Sequence, residues 1–150
     1  MENINQGTII HKPNNNINNL FSRLRFFKII NNENITLKSK GDAIRSFCYI
    51  ADAITGFFTI LLKGKNAEAY NLANENATVS IKTLAETLVN LFPDKNLKVV
   101  MKTRSKNDNY SESKIKVNRP DISKLTSLGW KPYFSIKEGF KRTIISYINL

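Results

Sequence analysis

The chain alternates between short apolar runs and Asn- or Lys-rich breaks, and the spacing of the apolar positions predicts a succession of small elements. Residues 1–19 contain Lys12-Pro13-Asn14-Asn15-Asn16-Ile17-Asn18-Asn19, a polar run with a helix breaker, and read as a flexible Asn-rich segment ahead of one domain over 20–150. From Ile17, the positions Leu20, Phe21, Leu24 and Phe27 or Lys28 recur at helical spacing and predict a helix of about three turns. Asn31-Asn32-Glu33-Asn34 breaks it. Ile35-Thr36-Leu37 then alternates like a strand, and Ser39-Lys40-Gly41-Asp42 supplies turn chemistry for a hairpin-like approach into Arg45. Arg45 to Ile50 reads as a short strand. Asp52 is suited to cap the helix that follows, in which Ile54, Phe57, Phe58 and Leu61 share a face. Gly64 is placed to end that helix in the left-handed conformation.

In the second half, Ala69-Tyr70-Asn71-Leu72-Ala73-Asn74 reads as a strand. Ser80 is a good cap for a helix carrying Ile81, Leu84, Ala85, Leu88 and Leu91, which Pro93 stops. Leu97 to Met101 reads as another strand, and Lys102 to Ser113 as a polar loop long enough to suggest a functional role. Lys114 to Val117 alternates like an edge strand, and Asp121 caps a short helix with Ile122, Leu125 and Leu128, ended by Gly129. Ser135-Ile136-Lys137-Glu138 has the form of a full capping box opening a last helix with Ile136, Phe140, Ile144, Tyr147 and Ile148, and Trp130 is expected to pack between these two helices. The pattern is one mixed α/β unit of about three or four strands and about five helices.

Composition narrows the chemistry. With 41% hydrophobic and 10% aromatic residues over 150 positions, the chain can bury a core. The 23 basic against 12 acidic residues give a net charge of +11, which favours anionic partners such as nucleotide phosphates or nucleic acid, although a bias towards Lys and Asn produces the same excess. One cysteine, Cys48, excludes an internal disulfide and reads as a buried small hydrophobe in a reducing compartment. One histidine, His11, leaves no zinc site and no Cys and His dyad. No signal-like N-terminus and no apolar run of membrane-spanning length is found, so a cytoplasmic protein with no membrane partner is expected.

Several separated pieces occur in one order: Ile35 to Leu37, Arg45-Ser46-Phe47-Cys48-Tyr49-Ile50-Ala51-Asp52-Ala53, Tyr70-Asn71, Ser80-Ile81, Pro120 to Lys124, Leu128-Gly129-Trp130-Lys131-Pro132 and Ser135 to Gly139. Together they resemble the C-terminal part of NAD-dependent nucleotide-sugar epimerases and dehydratases, members of the extended short-chain dehydrogenase/reductase family. The resemblance implies a small mixed α/β unit corresponding to the substrate-binding part of such an enzyme, without the N-terminal Rossmann cofactor region.

By the same resemblance, Arg45 corresponds to the Arg that meets the diphosphate of a UDP- or dTDP-sugar, a task suited to the paired donors of a guanidinium. The bland alternative is a salt bridge to Asp42 or Asp52. Leu37 and Lys38 correspond to the backbone lying along the nucleobase. Relatives place a second phosphate-binding Arg in the loop matching 102–113, often within Arg-Pro-Gly-Asp. That motif is missing here, which leaves Arg104, Lys106 and Tyr110 as substitutes and Arg119 as a further candidate.

The family's chemistry has two other requirements. The glycines Gly7, Gly41, Gly56, Gly64, Gly129 and Gly139 do not form the Gly-x-Gly-x-x-Gly turn that holds the dinucleotide pyrophosphate at a helix N-terminus. The proton-transferring Tyr-x-x-x-Lys pair has two matches in spacing, Tyr110 to Lys114 and Tyr133 to Lys137, one in a polar loop and one across a helix boundary, and neither has the helical geometry the pair needs. The expectation is a chain with no cofactor of its own, NAD belonging to the complete enzyme, and inactive unless a separate N-terminal half supplies what is missing. The alternatives are a basic noncatalytic module for nucleic acid, for which no recognition element is present, and a truncated product without function.

Overall fold

The computed structural model describes residues 25–102 and 115–148. Among them, α1 (Arg25–Ile30) leads into β1 (Ile35–Leu37) and β2 (Ile44–Ser46), followed by the long α2 (Ile50–Lys63). A 3-10 turn, Glu75–Ala77, precedes β3 (Thr78–Ser80) and α3 (Ile81–Asn90). A second such turn, Pro93–Lys95, precedes β4 (Val99–Met101). The chain closes with β5 (Val117–Asn118), α4 (Ser123–Ser127) and α5 (Ile136–Ile148). The result is the small mixed α/β unit expected from the sequence.

The strands divide into two sheets. β1 lies parallel to β4, with Ile35 opposite Val99 and Leu37 opposite Met101. β2 is central in the other, antiparallel to β3 through Arg45 and Val79 and parallel to β5 through Ile44 and Val117. The expected hairpin-like approach into Arg45 is therefore not formed: β1 and β2, though adjacent in sequence, belong to different sheets. Gly41 turns the chain between them at a φ of 71°, and a Cβ there would meet Lys82 Cβ at 3.0 Å. Its carbonyl instead accepts the Lys82 N–H at 2.8 Å, so the turn is tied directly to the start of α3.

Two apolar clusters hold these elements. In the first, Ile29 of α1, Ile35 and Leu37 of β1, Leu84, Ala85 and Leu88 of α3 and Ile144 of α5 are buried together. The i, i+1, i+4 spacing in α3 turns one stripe inward, and the Ser80 hydroxyl accepts the Thr83 N–H at 3.0 Å as the expected cap. The second cluster gathers Ala73, Ile122, Leu125 and Trp130.

Several local expectations give way to tertiary contacts. Residues 69–74 form no strand; Asn74 instead caps the 3-10 turn, accepting from Asn76 N–H, and its amide donates to the Phe134 carbonyl at 2.8 Å. Gly64 ends α2 in an extended conformation, φ −68° and ψ 152°, not a left-handed one. The capping box at α5 is half made: Ser135 Oγ accepts the Glu138 N–H, but the Glu138 carboxylate turns to Arg142 Nε at 2.7 Å. The expected helix over 17–28 is described only from Arg25, and there the buried residue is Ile29, with Phe27 part-buried.

Candidate functional site

Of the six substrate-contacting candidates, the four among the described residues, Leu37, Lys38, Arg45 and Arg119, do not converge on one cavity. Arg45, on the central strand β2, is half-buried. Its Nη1 donates to the carbonyls of Ile44 at 2.6 Å and Lys116 at 3.4 Å, and its Nη2 to that of Ile115 at 2.9 Å. The guanidinium thus lies across the segment that runs into β5, fixed by carbonyl dipoles. Arg45 pairs in register with Asn118, so the exposed Arg119 follows immediately beyond its partner residue. Arg119 thus lies just past the end of β5, one residue beyond the register partner of Arg45. The alternative that had Asp52 neutralising Arg45 does not hold, because the Asp52 carboxylate is engaged elsewhere.

Leu37 and Lys38 lie at the end of β1 in the other sheet. The Leu37 side chain is core, 2% exposed, and its carbonyl accepts the Lys102 N–H at 2.9 Å, extending the parallel pairing with β4. Lys38 is exposed just beyond. Arg104, Lys106 and Tyr110, with the whole of the polar loop's middle, lie outside the described residues. Tyr133 precedes α5 and is 86% exposed, whereas Lys137 is in its first turn, so the two do not share a helix face.

Asp52 was expected to cap α2. The helix begins two residues earlier at Ile50, which puts Asp52 in its first turn, pointing inward and 3% exposed. Oδ1 accepts the Tyr133 N–H at 2.9 Å and Oδ2 the Phe134 N–H at 3.0 Å. The same residue's carbonyl accepts the Trp130 indole N–H at 3.2 Å, and Thr55 Oγ1 accepts it too at 3.1 Å. Trp130 is thus anchored on α2, near Gly56, where a Cβ would come 3.3 Å from its ring, and not between α4 and α5 alone. No signal in the sequence connects positions 52 and 133; the only hint was a carboxylate in an otherwise apolar stretch.

A cavity of about 420 Å³ opens where β2 ends, lined by Phe47, Cys48, Tyr49, Phe134, Phe140 and Tyr147 among others. Phe47 meets Phe140 edge-on at 5.6 Å, and Tyr49 meets Phe134 at 4.8 Å. Cys48 at its wall is half-buried; burial, and then the Asp52 charge, push its thiol up to about 11. It is consequently a neutral thiol, not a nucleophile, at ordinary pH. None of the four described candidates, Leu37, Lys38, Arg45 and Arg119, lines this cavity. Among the described residues no group of His, Cys, Asp and Glu is arranged to hold a metal ion, and no helix is long and apolar enough to cross a membrane.

Residues 11–73 match the family described as NAD dependent epimerase/dehydratase family. The chain is 33% identical over 118 residues to dTDP-D-glucose 4,6-dehydratase of Mus musculus, and 34% identical over 125 residues to UDP-glucuronate 4-epimerase of Thermodesulfobacterium geofontis. These matches cover 77% and 82% of the chain but 32% and 36% of the relatives. Its fold is similar to that of UDP-glucose 4-epimerase of Thermotoga maritima, solved with UDP-glucose, at a TM-score of 0.68 and 21% identity, covering 84% of this chain and 38% of that one. UDP-glucuronic acid 4-epimerase of Bacillus cereus, solved with UDP-glucuronic acid and NAD, gives 0.67 and 24%, covering 86% and 39%. The chain belongs to the NAD-dependent epimerase/dehydratase family, and it spans about a third of the length of the curated relatives it matches.

Proposed function

We propose that the chain is the nucleotide-sugar-binding portion of an NAD-dependent sugar epimerase or dehydratase, and that it carries neither the dinucleotide site nor the proton-transfer pair of the complete enzyme. The observation that supports this best is Arg45 itself: a half-buried guanidinium held on the central strand, next in register to the residue before Arg119, in a chain whose relatives are named for UDP- and dTDP-sugars. The paired donors of a guanidinium suit the oxygens of a diphosphate.

The N-termini of α2, α3 and α5 do not offer the arrangement that NAD takes. That of α3 is closed by the Ser80 hydroxyl, that of α5 by the Ser135 hydroxyl, and that of α2 is entered through Tyr49 with Asp52 in its first turn. A pyrophosphate needs open backbone amides and small residues there. No step of oxidation or proton transfer is assigned to this chain on its own.

Titration of the chain with UDP-glucose and dTDP-glucose in moderate salt tests the reading. Binding of at least one is expected, with UDP retaining most of the affinity and uridine little of it, and Arg45→Ala weakening it by roughly tenfold or more, the worth of one charge-assisted phosphate contact. Because Arg45 also anchors the Ile115 and Lys116 carbonyls, the variant's melting curve is recorded alongside. No heat with either sugar nucleotide, together with salt-sensitive binding to random DNA, overturns the proposal in favour of a basic nucleic-acid module.

A further inference from the structure

A row of hydroxyls crosses the sheet that carries Arg45. Ser46 Oγ lies 2.7 Å from Thr78 Oγ1 on β3, and it donates to the Asn118 carbonyl on β5 at 3.3 Å. A serine hydroxyl has one proton, so with that proton on Asn118 the Thr78 hydroxyl is the donor to Ser46. The result is a relay from Thr78 through Ser46 to the Asn118 carbonyl. It spans all three strands at the level where Ser46 pairs with Thr78 and Arg45 with Asn118.

The relay gains weight from how little else holds β5. That strand has two residues, and the apolar side chains beside and on it bury little, Ile115 being 58% exposed and Val117 57%. Polar links therefore decide where β5 stands against β2. The Lys116 carbonyl accepts the Ile44 N–H at 2.8 Å, the Ile115 and Lys116 carbonyls accept the Arg45 guanidinium, and the Asn118 carbonyl accepts Ser46. Successive residues of a strand point to opposite faces, so Arg45 grips β5 from one face of the sheet and Ser46 from the other. A shift of β5 would carry the Ile115 and Lys116 carbonyls with it, and with them the guanidinium they hold.

We infer that Ser46, with Thr78 behind it, is a positioning residue for Arg45: the hydroxyl relay fixes β5, and β5 fixes the guanidinium for the diphosphate of a nucleotide-sugar. The inference rests on the functional reading above and deepens it by naming what sets the geometry of its central residue. A hydroxyl that merely filled the sheet would be exchangeable for an apolar group of its own size with no effect on a ligand at the opposite face.

The test has two readings. In ligand-free spectra of the arginine side chains, the Arg45 Nε–H signal is assigned by its loss in Arg45→Ala. It is expected to move in Ser46→Ala and in the nearly isosteric Thr78→Val, and to stay in place in Ser46→Thr, which keeps the hydroxyl and suits a strand. In titrations with UDP-glucose, Ser46→Ala is expected to weaken binding roughly fivefold, the worth of one hydrogen bond, and Ser46→Thr by less than about twofold. Added to Arg45→Ala, Ser46→Ala should weaken binding no further. An unmoved Arg45 signal, an equal loss in Ser46→Thr, or a full additional loss in the Arg45→Ala background overturns the inference. A lowered melting midpoint with unchanged affinity does so too, since it leaves Ser46 a purely structural role. The two proposals fail distinguishably: a wild type that takes up no UDP-glucose removes the functional reading and this inference with it, whereas a wild type and a Ser46→Ala variant that bind equally remove this inference alone.

Discussion

Cys48 illustrates how a residue's neighbours set its chemistry. Its thiol is raised from an ordinary 9.0 to about 11, by burial first and by the Asp52 carboxylate second. The folded state therefore keeps this proton to a higher pH than the unfolded state does. The corresponding stability is fully present below about pH 9 and is lost as pH climbs from there through about 11, the unfolded chain releasing the proton first. Denaturant midpoints measured from pH 8 to 11 should fall more steeply for the wild type than for Cys48→Ala, and maleimide at pH 8 should label the folded thiol roughly tenfold more slowly than the unfolded one. A parallel fall in both proteins would remove Cys48 from the explanation. The sequence showed Cys48 among Phe47, Tyr49 and Ile50, enough to read a small apolar residue. It did not show the Asp52 side chain turned inward, because a carboxylate at the start of a helical run is locally indistinguishable from a cap.

At the level of elements, what is local was legible and what is not was missed. The α3 helix has its cap, its stripe and its stop within about a dozen residues, and all were read correctly from Ser80, Leu84 and Pro93. The α2 helix was also legible, but not its orientation. Its best-spaced apolar face is exposed, whereas the side held against the body is the one with Asp52 and Gly56. Hydrophobic periodicity identifies a face that wants covering without saying whether this chain covers it. The strands at Ile35–Leu37 and Val99–Met101 were legible, but Thr78–Ser80 was not, because its three residues carry too little pattern and its pairing with β2 is a tertiary fact. The attachment of α2 is similarly tertiary. Asp52→Asn keeps the shape but turns one acceptor into a donor facing a backbone N–H, so the variant should lose about 2 kcal/mol in denaturant unfolding. An unchanged midpoint would show that the carboxylate is not what fastens residues 133 and 134 to the helix.

For the molecule as a whole, the candidate site was half legible. Arg45 and its strand were read from the sequence, its proposed role rests on the resemblance, and the register placing it beside Asn118 came only with the fold. The two apolar clusters are linked through β2, its continuation at Phe47 and Cys48, and the contacts of α2 with Trp130. Leu88 is fully buried in the first cluster and Trp130, the sole tryptophan, is buried in the second. If the unit unfolds cooperatively, Leu88→Ala should cost about 3 kcal/mol and shift the Trp130 fluorescence midpoint together with the far-ultraviolet signal. A fluorescence midpoint that stays put, or a gradual transition in the wild type, would show that the clusters melt independently. The pairing of β2 with β5 carries a consequence for the order of assembly. Arg45 meets its carbonyl partners 70 and 71 positions along the chain, so closing that edge means gathering a long loop, whereas α3 and its cap are made of near neighbours. Contacts that distant tend to come late on the way to the native state and to open early on the way out of it. The edge proposed to meet a diphosphate is thus the part of this unit that a bound ligand would do most to keep closed.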